Sequence, residues 1–414
     1  MMLSRFVYSM LVKLSWYALQ VIALFNPKIK LFVSGRKETF AQLEATLLEG
    51  SKSIWMHVAS LGEYEQGLPI LEQLRSAYPN HKIVLTFFSP SGYEVKKNTS
   101  AADVVVYLPM DTLSNASKFL DKTNPELAIF IKYEIWPNYL YQLQQRNIPT
   151  LLVSGRFLKK QIYFKPLGGF MRNSLKAISH FFVQDETSKR LLESINFKNT
   201  TVSGDTRFDR VSEILKQDNH LDFMSKFKGD AFCVVAGSTW PEDEEILINF
   251  INSTKHPIKF VIAPHQIKQA HIDHITSAIS KKTICYTQLG NEDLSKYDVL
   301  IIDTIGLLTK IYSYADVAYV GGGFATGLHN TLEPAVFGIP VIIGPNFKGF
   351  KEADDLVAQK GILPIQNQEN FTDLMNGFVT HPESVTKTGK INSNYINTNL
   401  GATTLAMNHI KEIL

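Results

Sequence analysis

The residues of this 414-residue chain best suited to chemistry are carboxylates and glycines placed where apolar runs end. Trp55-Met56-His57-Val58 leads into Ala59-Ser60-Leu61-Gly62-Glu63 and then a helical pattern from about Tyr64 to Arg75. Glu63 is thus expected at the carboxyl end of a strand and in the first residues of a helix. A carboxylate there can take the proton of an attacking hydroxyl, a general-base role worth about 10² to 10⁴ in rate. The helix end would lower its pKa, and the same position also suits a simple capping carboxylate. A second junction, Ile131-Lys132-Tyr133-Glu134-Ile135-Trp136-Pro137-Asn138, follows another apolar run. Pro137 fits a helix's first position, Trp136 a core, and Glu134 would accept hydrogen bonds from sugar hydroxyls or pair with Lys132 or Arg156.

A third stretch runs from Tyr319 to Gly344, where a strand breaks at Gly321, Gly322 and Gly323 and a helix is expected from Thr331 to Gly338. Strand, glycine turn and helix together make an anion site, because glycine lets backbone approach a ligand and the helix's first N–H groups are unpaired. Glu333, in that first turn beside Asn330, could accept hydrogen bonds from ribose hydroxyls; an ordinary turn with an acidic cap is the alternative. Ser238 ends a further apolar run ahead of the acidic stretch Glu242 to Glu245, which reads as a complement to the helix dipole. His265 and Lys268, in Pro264-His265-Gln266-Ile267-Lys268, offer an imidazole and an ammonium to the same phosphate. His271, Asp273 and His274 read as a solvated helix face, since no third ligand accompanies the histidines. No DxD pair, GxSxG elbow or P-loop occurs, so phosphate charge falls to Lys268, helix ends and glycine amides, and no metal or cofactor is called for.

The elements that must position these groups alternate regularly. Apolar runs at Ile54–Val58, Ile83–Phe87, Val104–Tyr107, Leu127–Ile131, Thr150–Val153 and Phe181–Val183 are separated by helix-length segments. A second set follows at Phe232–Ala236, Phe260–Ile262, Val299–Ile302, Val317–Val320 and Val341–Ile343. Continuous short runs of this kind indicate parallel sheets covered on both faces, so the expected fold is α/β with two Rossmann-like doubly wound domains facing a cleft. We expect an N-terminal domain over 31–210, a polar connection over 211–230 and a C-terminal domain over 231–414, whose last helix could pack back on the first domain. With 45% hydrophobic residues the chain can bury two such cores. A net charge of +3 with scattered lysines gives no case for nucleic acid, and Cys233 and Cys285 alone make neither a disulfide framework nor a zinc site.

The first 30 residues stand apart. Phe6 to Phe25 carries a single charge, Lys13, and as a helix would reach about 30 Å, the thickness of a bilayer's hydrocarbon. An anchor crossing the membrane, a helix lying in its surface and a helix packed against the protein are all compatible with the run, and for an anchor Lys28, Lys30, Arg36 and Lys37 place the body in the cytoplasm.

Taken together, the segments WMHVASLGE (55–63), KYEIWPN (132–138), GDTRFD (204–209), GSTWPEDEE (237–245), DTIGLL (303–308) and GGGF with HNTLEP (321–334) resemble the Kdo transferases. These membrane-bound enzymes move 3-deoxy-D-manno-octulosonic acid (Kdo) from CMP-Kdo to the lipid A precursor of Gram-negative bacteria. The resemblance spans nearly the whole chain and implies the GT-B architecture with the nucleotide on the C-terminal domain. It implies Glu63 as catalytic base and Glu134, with Lys132 and Arg156, on the acceptor side. Ser238, His265, Lys268, Gly321 to Gly323, Asn330 and Glu333 would form the CMP pocket. Lys268 stands where the family usually has arginine, Leu307 where it has an acid and Leu328 where it has glycine. The expected reaction is an inverting, metal-independent transfer on the cytoplasmic face of the inner membrane. The alternatives are a GT-B transferase or sugar epimerase using another donor, and a membrane-tethered nucleotide-sugar binder without turnover.

Overall fold

In the computed structural model, which describes residues 2–325 and 327–414, the N-terminal apolar runs become strands β1 (Ser53–Val58), β2 (Lys82–Phe87), β3 (Val104–Tyr107), β4 (Pro125–Ile131), β5 (Thr150–Gly155) and β6 (His180–Val183). A seventh, β7 (Thr200–Val202), was not expected, because three residues without a continuous apolar run give no signal. All pair in parallel in the order β3-β2-β1-β4-β5-β6-β7. Every residue of β1 is buried, as a strand covered by helices on both faces must be.

The second set forms β8 (Phe232–Thr239), β9 (Ile258–Pro264), β10 (Thr283–Cys285), β11 (Val299–Ile301), β12 (Val317–Val320), β13 (Val341–Ile343) and β14 (Ile362–Pro364). They make a parallel sheet in the order β10-β11-β9-β8-β12-β13-β14, whose two outermost strands are the ones the apolar pattern did not reveal. The chain divides into two units, Met1–Arg210 with Leu400–Leu414, and Val211–Asn399. The segment 211–230, expected to be polar connection, contains the helix Asp222–Lys228, with Met224 and Phe227 buried.

The strand order turns back between β1 and β4 in the first sheet and between β8 and β12 in the second, where β10 and β11 are also exchanged at the edge. Loops leaving these neighbouring carboxyl ends diverge to opposite faces and leave a crevice. Glu63 and Glu134 follow β1 and β4; Ser238 and the three glycines lie at the ends of β8 and β12.

The N-terminal helix, Met2–Ile22, forms as expected, but the membrane-crossing version of it is not supported: among the described residues no helix is long and apolar enough to cross a bilayer. The physical reason is polar docking. The Tyr8 hydroxyl donates to Asp111 at 2.8 Å, the Asn138 amide donates to Ser9 at 3.1 Å, and the Arg5 guanidinium lies 3.5 Å from the centre of the Tyr141 ring. What remains outward is a stripe of exposed apolar residues, Leu3, Phe6, Met10, Leu14, Tyr17 and Val21, at the spacing of one helix face.

The GDTRFD segment fastens the first unit. Asp209 accepts hydrogen bonds at 2.7 Å from the amides of Gly401 and of Thr403, capping the last helix, Ala402–Ile413, from 192 and 194 residues away in sequence. That helix buries Ala406, Met407 and Ile410 in the same core as β1 and β2. Asp209→Ala should therefore lower stability by about 1 to 2 kcal/mol. Hydrogen exchange should show lost amide protection first in 402–413, and unchanged protection there would contradict the capping role.

Candidate active site

Glu63 sits in the first turn of helix Leu61–Ala77 and is 5% exposed. Its Oε2 accepts the Ala59 amide hydrogen at 2.5 Å, closing the loop between β1 and the helix. The expected lowering of its pKa by the helix end does not hold. Burial, reinforced by the charge of Glu134, pushes it up to about 7, against the smaller opposing pulls of the Ala59 amide and Lys132. A carboxylate poised near neutrality is a better base than an ordinary surface one.

Glu134 is held differently from either expected pairing. Its Oε2 accepts the Trp136 indole N–H at 3.1 Å and lies 3.5 Å from Nε2 of His57. Trp136, expected in the core, is half-buried and shares its N–H with His57 Nε2 at 3.0 Å. His57 is wholly buried, and burial keeps its pKa below the ordinary value despite Glu134. An imidazole that accepts at Nε2 carries its hydrogen on Nδ1, which then donates to the Thr86 hydroxyl oxygen at 2.8 Å, an oxygen that also receives the Trp55 indole. The ring is thus fixed as a neutral tautomer. Lys132 adopts a left-handed backbone (φ +68°) directly after β4, its ammonium acts on Glu63, and Arg156 acts on the neighbouring Tyr133.

Residues that sequence reasoning passed over support this group. Asp205 accepts hydrogen bonds from Gln66, Gln184 and Arg207, and Thr206 bridges Ser154 at 2.9 Å and the carbonyl oxygen of Gln66 at 2.5 Å. Ser154 itself is left-handed (φ +54°), and Gln66 lies one turn beyond Glu63. The motif GDTRFD was the available signal, but its partners are distant in sequence.

In the second unit the glycines turn out to serve packing. A Cβ on Gly321 would stand 2.3 Å from the Ser238 carbonyl oxygen, and one on Gly323 would stand 2.7 Å from the Gly344 backbone. The Gly321 amide is bonded to Gly237 and that of Gly322 (φ +92°) to Asp243 at 2.8 Å, so these two amides are not free for a phosphate as expected. Asp243 is more than a dipole complement, because it also accepts from Tyr319 at 2.7 Å and the Trp240 amide at 3.0 Å, tying the glycine loop to β8. The helix expected from 331 to 338 is only Leu332–Ala335. Glu333 accepts from Asn330 and Thr309, each at 2.9 Å, and Thr309 was not foreseen. Ser238 is left-handed (φ +55°) at the end of β8.

His265, exposed after β9, stacks on Trp240 with ring centres 4.8 Å apart and lies 4.5 Å from His329. Trp240 donates to His329 Nε2 at 3.0 Å, and burial together with His265 pulls His329 down to about 4, leaving it neutral. Lys268 is exposed at the start of helix Gln269–Ala278. His271, expected on a solvated face, is instead half-buried against Glu244 at 2.7 Å. Leu328 is buried, which accounts for an apolar residue where glycine is usual. Among the described residues no group of three or more metal-ligating side chains occurs.

Similarity to known proteins narrows the class of enzyme. Residues 34–210 match the family described as 3-deoxy-D-manno-octulosonic-acid transferase (Kdo transferase). The chain is 25% identical over 377 residues to 3-deoxy-D-manno-octulosonic acid transferase of Haemophilus influenzae, covering 88% of this chain and 87% of that one. It is 25% identical over 338 residues to the enzyme of the same name from Chlamydophila psittaci, covering 80% and 78%. The chain is a glycosyltransferase that resembles the Kdo transferases over most of its length. Another relative, a bifunctional glycosyltransferase/methyltransferase of Fusobacterium nucleatum, is 26% identical over 358 residues, 83% of this chain, which spans only 54% of that protein. Among solved structures, the UDP-GlcNAc 2-epimerase of Neisseria meningitidis bound to UDP-GlcNAc has a TM-score of 0.62 at 15% identity, covering 87% of this chain and all of that one. MurG of Acinetobacter baumannii has a TM-score of 0.54 at 10% identity, covering 87% of this chain and 99% of that one. These likenesses show a GT-B-like α/β fold with two parallel sheets.

The burial of Glu63 has a consequence for stability. A carboxyl whose folded pKa is raised holds its proton more tightly when folded, so its ionisation opposes folding. That cost is absent below the ordinary value of 4.5, grows as pH rises to about 7 and is constant above. Glu63→Gln should therefore stabilise the chain at pH 8 by up to about 3 kcal/mol and give no gain at pH 4, read by denaturant titration. An equal gain at both pH values would show that the carboxylate's charge is not its source.

Proposed function

We propose that the chain transfers Kdo from CMP-Kdo to a lipid A precursor, with inversion and without a metal, at the cytoplasmic face of the inner membrane. The observation that carries this is Glu63, a buried carboxylate with a pKa near 7 at the carboxyl end of β1, beside the acidic Glu134 that follows β4. The transferred sugar is the one in the printed name of its relatives, 3-deoxy-D-manno-octulosonic acid transferase, and the CMP donor and lipid acceptor are those that the sequence resemblance implies.

Glu63 takes the proton of the acceptor sugar hydroxyl as that oxygen attacks the Kdo anomeric carbon; the bond to the CMP phosphate oxygen breaks and CMP leaves. Glu134, fixed by Trp136, accepts a hydrogen bond from the acceptor sugar and keeps negative charge beside the base; Lys132 and Arg156 flank this acceptor side. In the second unit Ser238, Asn330 and Glu333 hold the nucleotide's sugar and base, with Gly321 to Gly323 as a wall that admits close approach. His265 and Lys268 meet the phosphate, supplying the positive charge that a metal supplies elsewhere. The exposed apolar stripe of helix Met2–Ile22 lies in the membrane surface, where the acceptor's acyl chains reside.

The test is the mass of a lipid A precursor after incubation with the detergent-solubilised chain and fresh CMP-Kdo, with and without EDTA. A gain of one or more Kdo masses, unaffected by EDTA, is expected; its rate should climb with pH through about 7 as Glu63 ionises, then level off. Glu63→Gln should lose about 10² to 10⁴ in rate with CMP binding kept. Near-wild-type turnover in that variant would remove Glu63 as the base.

A further inference from the structure

Behind the two carboxylates runs a chain of polar groups that the transfer itself does not use: Trp55, Thr86 and His57, each wholly buried, and the half-buried Trp136. Thr86 of β2 stands beside His57 of β1 as its register partner. The Thr86 hydroxyl oxygen receives the Trp55 indole N–H and the His57 Nδ1–H, each at 2.8 Å, and its own hydrogen points to the Met56 carbonyl oxygen at 3.4 Å. One donor and two lone pairs are then all in use, so the hydroxyl has no hydrogen left to give to Nδ1. A neutral imidazole bound in this way must leave Nε2 bare.

That bare nitrogen faces a second acceptor. It lies 3.5 Å from Oε2 of Glu134, and the Trp136 indole N–H sits between them, 3.0 Å from the nitrogen and 3.1 Å from the oxygen. Two acceptors this close repel unless they share a donor or the ring is protonated. Burial and the positive charge of Arg36 oppose protonation and outweigh Glu134 and the Thr86 contact, which favour it. A hydrogen on Nε2 of a neutral ring would meet the indole hydrogen head-on. Among the described residues, the other groups that act on the two carboxylates are Lys132 on Glu63, Tyr133 beside both and near Arg156, and Tyr163 beside Glu134.

We propose that Thr86 and His57 are positioning residues for the base: by keeping Nε2 an acceptor they leave the uncharged Trp136 indole as the donor on Glu134, so that the negative charge of Glu134 stays turned on Glu63. Neither residue touches a substrate. Thr86 acts through the tautomer of His57, His57 through Trp136 and Glu134, and the result is read at Glu63. The proposal rests on the reading of Glu63 as base, and extends it to the groups that set the strength of that base.

The test reads the tautomer and Glu63 separately, in the full chain in detergent. In nitrogen NMR of isotope-labelled histidine, the His57 signal, assigned by its loss in His57→Gln, should show hydrogen on Nδ1 and a bare Nε2 from about pH 6 to pH 9. In Thr86→Val, Nδ1 loses its acceptor, and the hydrogen should move to Nε2, where it gives Glu134 a second donor. Glu63, followed by carbon NMR of its carboxyl, should titrate near 7 in wild type and about half a unit lower in Thr86→Val, with Thr86→Ser restoring it. The pH profile of Kdo transfer should move with it while the KM for CMP-Kdo stays unchanged. If Thr86→Val does not fold, Trp136→Phe carries the tautomer test from the other end, since without the indole the hydrogen should move to Nε2. Hydrogen on Nε2 in wild type, a His57 that titrates between pH 6 and 9, or a Glu63 midpoint unmoved in Thr86→Val would overturn the proposal. A midpoint that moves in a chain transferring no Kdo would uphold the two positioning residues while sinking the base reading; transfer whose pH profile ignores Thr86→Val would do the reverse.

Discussion

The first unit is arranged around a carboxylate kept out of water beside another carboxylate. Burial alone raises Glu63, and the negative field of Glu134 raises it further, a field that a counter-ion on Glu134 would weaken. His57 is the group that could supply one. Were it protonated, it would pair with Glu134 at 3.5 Å and weaken that field. Its burial and its donation to Thr86 hold it neutral instead, and the Trp136 indole, a donor without charge, fills the space between. The basicity of Glu63 is thus protected by a histidine that cannot readily ionise.

Buried carboxylates elsewhere show why this arrangement is particular. Asp205 is as deeply buried, and burial pushes it up, yet Arg207 and four hydrogen bonds bring it below the ordinary range, so it serves as a fixed anchor. Asp243 stays raised by burial although three donors point at it, and its work is to hold Gly322 and Tyr319 in place. The difference lies in the partners. Glu63 receives one backbone hydrogen bond, fewer than either aspartate, so burial is less fully offset at its carboxylate.

Much of this was legible in the order of residues. Parallel strands announce themselves as short unbroken apolar runs, and eleven of the fourteen were read that way. The missing β7, β10 and β14 are three-residue strands at or near sheet edges, where one side lacks a partner and burial no longer demands an apolar run. Glu63 and Glu134 were placed correctly at strand ends, but the direction of the Glu63 shift was not, because helix-dipole reasoning is local and desolvation is set by distant packing. The glycines at 321–323 were legible as a turn and misread as free donors: what claims the Gly322 amide is Asp243, 79 residues earlier. Trp240, His265 and His329 carry no spacing signal at all, since three loops from three strands bring them together.

The N-terminal helix illustrates the limit of hydropathy most sharply. A run with one charge in 20 residues reads as an anchor whether its apolar side chains face lipid all round or on one side only. What separates the two is the fate of its polar residues. Arg5, Ser9 and Lys13 recur every four residues with Tyr8 beside them, and Arg5, Tyr8 and Ser9 engage the rest of the first unit through Tyr141, Asp111 and Asn138. A helix whose polar stripe is already bonded to a protein surface is not free to stand across a bilayer, because withdrawing it would cost the buried Asp111 and Asn138 one hydrogen bond each. Its remaining apolar stripe can meet a membrane only from the side, and the unit that carries Glu63 must then lie against the same surface.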